Sequence, residues 1–156
     1  MLNGLADLFR RDLTRLTQEL RAFPDEATLW ATAPGVTNSA GNLTLHLEGN
    51  LRHYIGQQLG GVAYKREREK EFGGTGIPSA ELMERVEKLQ PAIPDIVAGL
   101  SQQQLDSIFP EPLWGGERVT SQFLFHLYGH LNYHLGQIGY LRRILTGGAS
   151  VKFVQL

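Results

Sequence analysis

The chain has 156 residues, of which 42% are apolar, and its 15 basic and 16 acidic side chains leave a formal net charge of −1. This composition excludes a disordered chain, which would be poor in apolar residues and strongly charged. The near-neutral charge provides no field that would attract nucleic acid or an anionic membrane, so neither is an expected partner. The absence of cysteine excludes disulfides and thiolate metal sites, and it suits a reducing cytosol.

Long apolar runs are absent from the sequence. A signal peptide needs about 7–15 consecutive apolar residues, and a membrane-spanning helix needs about 20. The longest runs here are a few residues long. The sequence therefore predicts a soluble, cytoplasmic protein, and its length predicts one domain over residues 1–156.

The first half of the chain has the apolar spacing of two helices. Apolar residues recur every three or four positions over 2–23, which predicts an amphipathic helix that Pro24 closes. Asn38 or Ser39 is expected to cap a second helix over 40–59, because either side chain can bond the free N–H groups of the first turn.

The second half predicts two more helices. Ser79 is expected to cap the third, which Pro91 and Pro94 should kink or break. Thr120 is expected to cap the last and longest, over 121–145. Four helices and no strand pattern predict an all-α four-helix bundle, with long connections after helices two and three. Connections of that length are often functional.

All five histidines lie on two of these helices: His46 and His53 on the second, and His126, His130 and His134 on the fourth. Histidines four residues apart are one helical turn apart and can share a metal ion. Those seven or eight apart are too distant. One site would therefore combine one histidine of helix two with an adjacent pair of helix four, and spacing does not decide between the two pairs.

Three neutral imidazoles leave one position of a tetrahedral metal open, which is typical of catalytic sites. The competing interpretation is structural, because a histidine in a helical core is usually a hydrogen-bonded core residue. In that case the protein would be a helical dimer without a metal site.

Two sequence strings resemble the DinB/YfiT-like superfamily of metalloenzymes. They are L-T-L-H-L-E-G-N-L-R-H-Y-I around His46 and H-L-N-Y-H-L-G-Q-I-G-Y-L-R-R from His130. The resemblance implies a four-helix bundle, often a homodimer, with a divalent metal on three histidines. Matched motif by motif, the ligands are His46, His130 and His134, and no ligand role falls to His126 or His53.

The resemblance also suggests classes of reaction. A few members of the superfamily are S-transferases or isomerases that use a low-molecular-weight thiol such as bacillithiol or mycothiol. It therefore implies a metal-dependent enzyme with a small-molecule substrate. The alternatives are a metal-dependent hydrolase and a non-catalytic protein that binds a metal or small ligand. Imidazole ligands do not distinguish zinc, nickel and iron.

Several further residues have two interpretations. Asn50 lies one turn after His46 and could bind a cofactor or substrate, or could bond the backbone. Gln137 could orient a ligand or hold two helices together. Glu48 should lie on the opposite side of its helix from His46, which makes it a poor general base. No residue is assigned a catalytic role.

Two other groups of residues have a functional and a structural interpretation. The charged cluster of Arg66, Arg68, Glu69 and Glu71 could bind an anion or form internal salt bridges. Trp30 and Trp114 could line a pocket or cover an end of the bundle. Five glycines within helices should permit close helix packing, inside one subunit or across a homodimer; they are Gly49, Gly56, Gly129, Gly136 and Gly139.

Overall fold

The computed structural model describes residues 2–112 and 116–152, and in these ranges all regular secondary structure is helical, without a β-sheet. The α-helices are α1 (Leu2–Arg21), α2 (Glu26–Leu29), α3 (Ala40–Leu51), α4 (Arg68–Gly73), α5 (Ser79–Gly99), α6 (Gln102–Asp106) and α7 (Thr120–Thr146). A π-helix, Arg52–Gln57, continues α3 without a break. The long helices α1, α3, α5 and α7 form the predicted four-helix bundle. Among the described helices, none has the length and apolar character needed to cross a membrane.

The core lies where the apolar stripes of the four long helices meet. α1 packs along α5 and α7, and α3 packs against α7 and α5. Large apolar side chains that are fully buried come from all four helices and from the π-helix: Phe9, Leu13, Leu16, Leu47, Leu51, Ile55, Leu82, Ile93, Leu124, Leu127 and Leu131. Burial of these stripes, at about 25 cal/mol per Å² of apolar surface, is the main term that stabilises the bundle.

Both long connections carry a short helix. Residues 58–78 contain α4, and residues 100–119 contain α6. Trp30 covers the N-terminal end of α3, where its ring occupies the space that a Cβ on Gly41 would need. Its indole Nε1 donates to the carbonyl of Ile77, at 3.2 Å. Trp114 lies outside the described residues.

Of the two effects expected of Pro91 and Pro94, the break in the third helix does not occur. α5 runs through both prolines as one helix. Each proline removes one backbone hydrogen bond. The apolar face nevertheless continues, since Leu89 before the prolines and Val97 after them are both buried in the same core. Packing of this apolar face outweighs the tendency of proline to end a helix.

One of the predicted caps is confirmed and two are wrong. The Ser39 side chain accepts a hydrogen bond from the backbone N–H of Asn42 and caps α3. Ser79 is instead the first residue of α5, and the carboxylate of Glu26 accepts its N–H at 3.1 Å. Thr120 is the first residue of α7, and its buried hydroxyl has no hydrogen-bond partner.

A buried ion pair connects α1 to α7. The Nε of Arg142 donates to Glu19 Oε2 at 2.7 Å, and the two side chains are only 3% and 4% exposed. Gly139 leaves room for this carboxylate, because a Cβ there would lie 3.2 Å from Glu19 Oε1. Gly49 has the same role for the carboxylate of Glu71. At both positions the missing side chain accommodates a buried acid, which the glycine pattern does not predict.

Candidate metal centre

The facing surfaces of α3 and α7 bring three histidines together. Every residue of α3 is buried, so His46 is shielded from solvent whichever side of the helix it occupies. On α7, the buried Leu127, Leu131 and Leu135 form the core stripe. His130 and His134 lie next to that stripe and are partly buried.

The Nε2 atoms of the three rings converge on one point. His46 Nε2 lies 3.1 Å from His130 Nε2, and His134 Nε2 lies 3.0 Å from the same atom. All three ligand atoms fall within 4.8 Å of one another. Nitrogens that share a tetrahedral metal ion at 2.0–2.1 Å would be about 3.3 Å apart. The rings are therefore placed as metal ligands would be.

The other two histidines lie outside this cluster. The ring of His126 stacks on Phe123, and its centroid is 6.0 Å from that of His130. His53 Nε2 lies 2.6 Å from a carboxylate oxygen of Glu111. Within the described residues, the cluster of His46, His130 and His134 is the one group of three acidic or histidine side chains with metal-ligand spacing.

The Nδ1 atoms of two of the three rings have oxygen partners. His46 Nδ1 is 2.8 Å from Glu71 Oε2, and His134 Nδ1 is 2.7 Å from Gln137 Oε1. Each of these rings can donate its Nδ1 proton to the oxygen, which leaves a lone pair on Nε2. The Nδ1 of His130 is buried and has no partner.

The long connection before α5 holds Glu71 in place. Arg66 donates to both oxygens of the Glu71 carboxylate, at 2.7 and 2.9 Å. Asn42 of α3 donates to the backbone carbonyls of Glu71, Phe72 and Gly74. Burial disfavours the charged carboxylate, but the hydrogen bonds from His46 and Arg66 outweigh burial and lower the pKa of Glu71.

Burial favours the neutral form of both cluster histidines on α7, His130 and His134. Burial, together with the neighbouring His134 and His46, lowers the pKa of His130 to about 3. Burial also lowers the pKa of His134. A neutral imidazole is the form that binds metal ions.

This arrangement fits a cation. When Nδ1 of His46 and of His134 carries the ring proton, the lone pairs on their Nε2 atoms both face His130 Nε2. A proton on His130 Nε2 can bond one of them and leaves the other without a donor. A metal ion at the shared point would accept a lone pair from all three rings.

The comparison with known protein families agrees with this fold. The family model of the DinB superfamily matches residues 8–138. The chain belongs to the DinB superfamily. No curated protein matches the chain. Among solved structures, a DinB-like protein from Bacillus cereus has the same fold, with a TM-score of 0.71 over 97% of this chain and 96% of that chain, at 18% sequence identity.

The sequence analysis did not identify the residues that hold the three histidines in place. Arg66 and Glu71 form the internal salt bridge that was one interpretation of the charged cluster. The contact between Glu71 and His46 was not predicted. Arg68 instead lies over the ring of Phe72, with its Cζ 5.3 Å from the centroid. Gly49, three residues after His46, indicated only that some group approaches this helix closely, and not that the group is a carboxylate.

The remaining candidates are placed as follows. Gln137 contacts His134 on its own helix and orients that ring. Glu48 is buried and accepts a hydrogen bond from Arg52, away from the cluster. Asn50 is 6% exposed, and its Oδ1 has no partner. Whether Asn50 contacts a cofactor stays a prediction.

Proposed function

We propose that the protein holds one divalent metal ion on the Nε2 atoms of His46, His130 and His134. The convergence of these three atoms within 4.8 Å carries the proposal. Two further features support it: burial lowers the pKa of His130 and His134, and His46 and His134 have oxygen partners at Nδ1. Such outer partners fix the tautomer and direction of metal-binding histidines.

Three protein ligands leave a fourth position for substrate or solvent. When bound, zinc, nickel or iron in such a site would act as a Lewis acid that favours the deprotonated form of a thiol or water ligand. The contribution of the chain is to hold the ligands. Glu71 orients His46, and Gln137 orients His134.

We propose a low-molecular-weight thiol as the second component, in an S-transferase whose other substrate is a small electrophile. The chain has no cysteine, so no protein thiol can be the nucleophile or fill the fourth position. The described part of the cluster also contains no carboxylate ligand. Three neutral ligands leave the full charge of a divalent ion uncompensated, and this favours an anionic thiolate as the fourth ligand.

Cobalt-substituted protein tests the thiol proposal. We expect millimolar bacillithiol or mycothiol to add a sulfur-to-metal charge-transfer band to the visible or near-ultraviolet spectrum, since three imidazoles and water cannot produce one. The apparent pKa of the thiol should fall on binding. His134→Ala protein, treated in the same way, should show neither effect.

An unchanged cobalt spectrum across a panel of bacterial thiols would contradict the thiol proposal. The metal-dependent hydrolase would then be the better hypothesis, because solvent alone can fill the fourth position. Binding of a thiol without turnover of any electrophile would instead favour a non-catalytic binding protein.

We propose that the protein is a homodimer formed through α7. Four large apolar side chains are 54–65% exposed along one side of this helix: Phe125, Tyr133, Tyr140 and Ile144. Gly129 and Gly136 lie on the same side, and a Cβ on either would meet no other atom within 4 Å. An exposed apolar patch of this kind marks an interface, and the glycines permit close approach of a second α7.

The variant Gly136→Arg tests the dimer. Within one subunit a Cβ at this position meets no atom within 4 Å, so the fold should be retained, but the arginine would separate two facing α7 helices. We expect sedimentation at micromolar concentration to give twice the 17.4 kDa chain mass for the unaltered protein and a single chain mass for the variant. The control is Gly4→Arg, at an exposed position of α1 with no neighbour within 4 Å. A monomeric unaltered protein would contradict the proposal.

A further inference from the structure

Two buried polar atoms, one on a cluster histidine and one on a residue a single helical turn after another, lack hydrogen-bond partners. They are Nδ1 of His130 and Oδ1 of Asn50. A buried polar atom without a partner costs about 1–3 kcal/mol, so each such atom needs an explanation. One atom belongs to α3 and the other to α7, the two helices that supply the histidines.

Metal binding at Nε2 of His130 determines whether Nδ1 of the same ring needs a hydrogen-bond acceptor. If Nε2 binds the ion, the remaining ring proton is on Nδ1, which becomes a donor. His46 and His134 already have oxygen acceptors at this atom, from Glu71 and Gln137. His130 is the one ring of the three without an acceptor, and its Nδ1 is shielded from solvent.

The packing of α3 against α7 places Asn50 on the His130 side of the cluster. The two helices run antiparallel, because Leu43 and Leu141 line the same cavity while Tyr54, in the π-helix, packs on Phe123. His46 lies between these points and contacts both His130 and His134. Asn50 is one turn beyond His46, in the direction of Tyr54. It therefore faces the part of α7 that begins at His130 and runs toward Phe123.

We propose that Asn50 Oδ1 accepts the hydrogen bond of His130 Nδ1–H in the metal-loaded protein and is a positioning residue for this ligand. The inference rests on the proposed metal site. With this hydrogen bond, all three histidines have the same arrangement: Nε2 is directed at the ion, and Nδ1–H is directed at an oxygen. The amide oxygen of Asn50 is a suitable acceptor, and the same hydrogen bond gives this oxygen the donor that it lacks.

The proposal predicts opposite effects on metal affinity and on metal-free stability. In the metal-free protein Oδ1 has no partner, so Asn50→Leu should be at least as stable as the unaltered protein. In the loaded protein the same change removes the acceptor of a ligand. Loss of such an outer partner typically weakens metal binding by about 10–100-fold.

The experiment measures zinc dissociation constants by competition with a chromogenic chelator, and unfolding of the metal-free proteins in urea. Asn50→Leu should bind zinc at least about tenfold more weakly, and Asn50→Asp, which retains an acceptor, should recover most of the affinity. Asn132→Leu is the matched control. Its Nδ2 donates to the carbonyl of Tyr128, so the substitution should lower stability and leave zinc affinity unchanged.

Nitrogen-15 NMR of the zinc-loaded protein provides a direct readout. The His130 Nδ1 proton should give a slowly exchanging signal that Asn50→Leu removes and Asn50→Asp keeps. Zinc affinity within twofold of the unaltered protein, with this signal unchanged, would overturn the role of Asn50 while leaving the metal site intact. Destabilisation of metal-free Asn50→Leu would also overturn it, by showing a structural role. If the unaltered protein binds no zinc, both this inference and the proposed function fail.

Discussion

Replacement of Arg142 by Met is expected to lower the free energy of unfolding by about 3–5 kcal/mol. The change leaves the Glu19 carboxylate buried without its cation, in a position where the two side chains are 3% and 4% exposed. It also removes the hydrogen bond from Arg142 to the carbonyl of Ala149. Because the total stability of a domain is about 5–15 kcal/mol, the effect should be plain in urea unfolding of the metal-free protein.

Arg143→Met is the control for this prediction. Arg143 is adjacent in sequence but only partly buried, over the ring of Tyr140, so its loss should change stability by less than about 1 kcal/mol. The double variant Glu19→Met/Arg142→Met should recover most of the lost stability, since an apolar pair can replace a buried ion pair at little cost. A loss below about 1 kcal/mol in Arg142→Met would show that Glu19 finds solvent or another partner.

Replacement of Glu71 by Gln is expected to weaken zinc binding by about 10–100-fold. Glu71 accepts the Nδ1 proton of His46 and thereby directs Nε2 at the shared point. Glutamine has the same shape but no charge, so it accepts this proton more weakly and also loses the paired bonds from Arg66. Competition with a chelator measures the dissociation constant.

Glu67→Gln provides the matched control for Glu71→Gln. Glu67 precedes the same helix, α4, but its side chain is 54% exposed and pairs with Lys70, so zinc affinity should not change. Circular dichroism of both metal-free variants tests whether the fold is retained. Equal zinc affinity in Glu71→Gln and the unaltered protein would show that His46 does not depend on the carboxylate.

The helices and the two histidines of α7 could be predicted because both depend on local spacing. Apolar periodicity locates a helix wherever its stripe faces the core, and a four-residue separation places His130 next to His134 on any helix. The choice of His130 and His134 as the pair that joins His46 needed the family resemblance, because helical spacing allowed the pair of His126 and His130 equally well.

The parts that sequence reasoning missed depend on contacts between distant segments. Glu71 reaches His46 from a long connection whose path no periodicity determines. Glu26 of α2 takes the capping role expected of Ser79. Pro91 remains inside α5 because tertiary packing continues on both sides of it. In each case a tertiary contact outweighs a local preference of the chain.

Elemental analysis of the untagged protein, purified without added metal, tests the metal site most directly. We expect one divalent ion per chain in the unaltered protein and in His126→Ala, and none in His130→Ala or His134→Ala. The contrast between His126 and His134 decides which pair of α7 binds, because both lie four residues from His130. A metal-free unaltered protein that also takes up no added zinc, or loss of the ion in His126→Ala with retention in His134→Ala, would contradict the site.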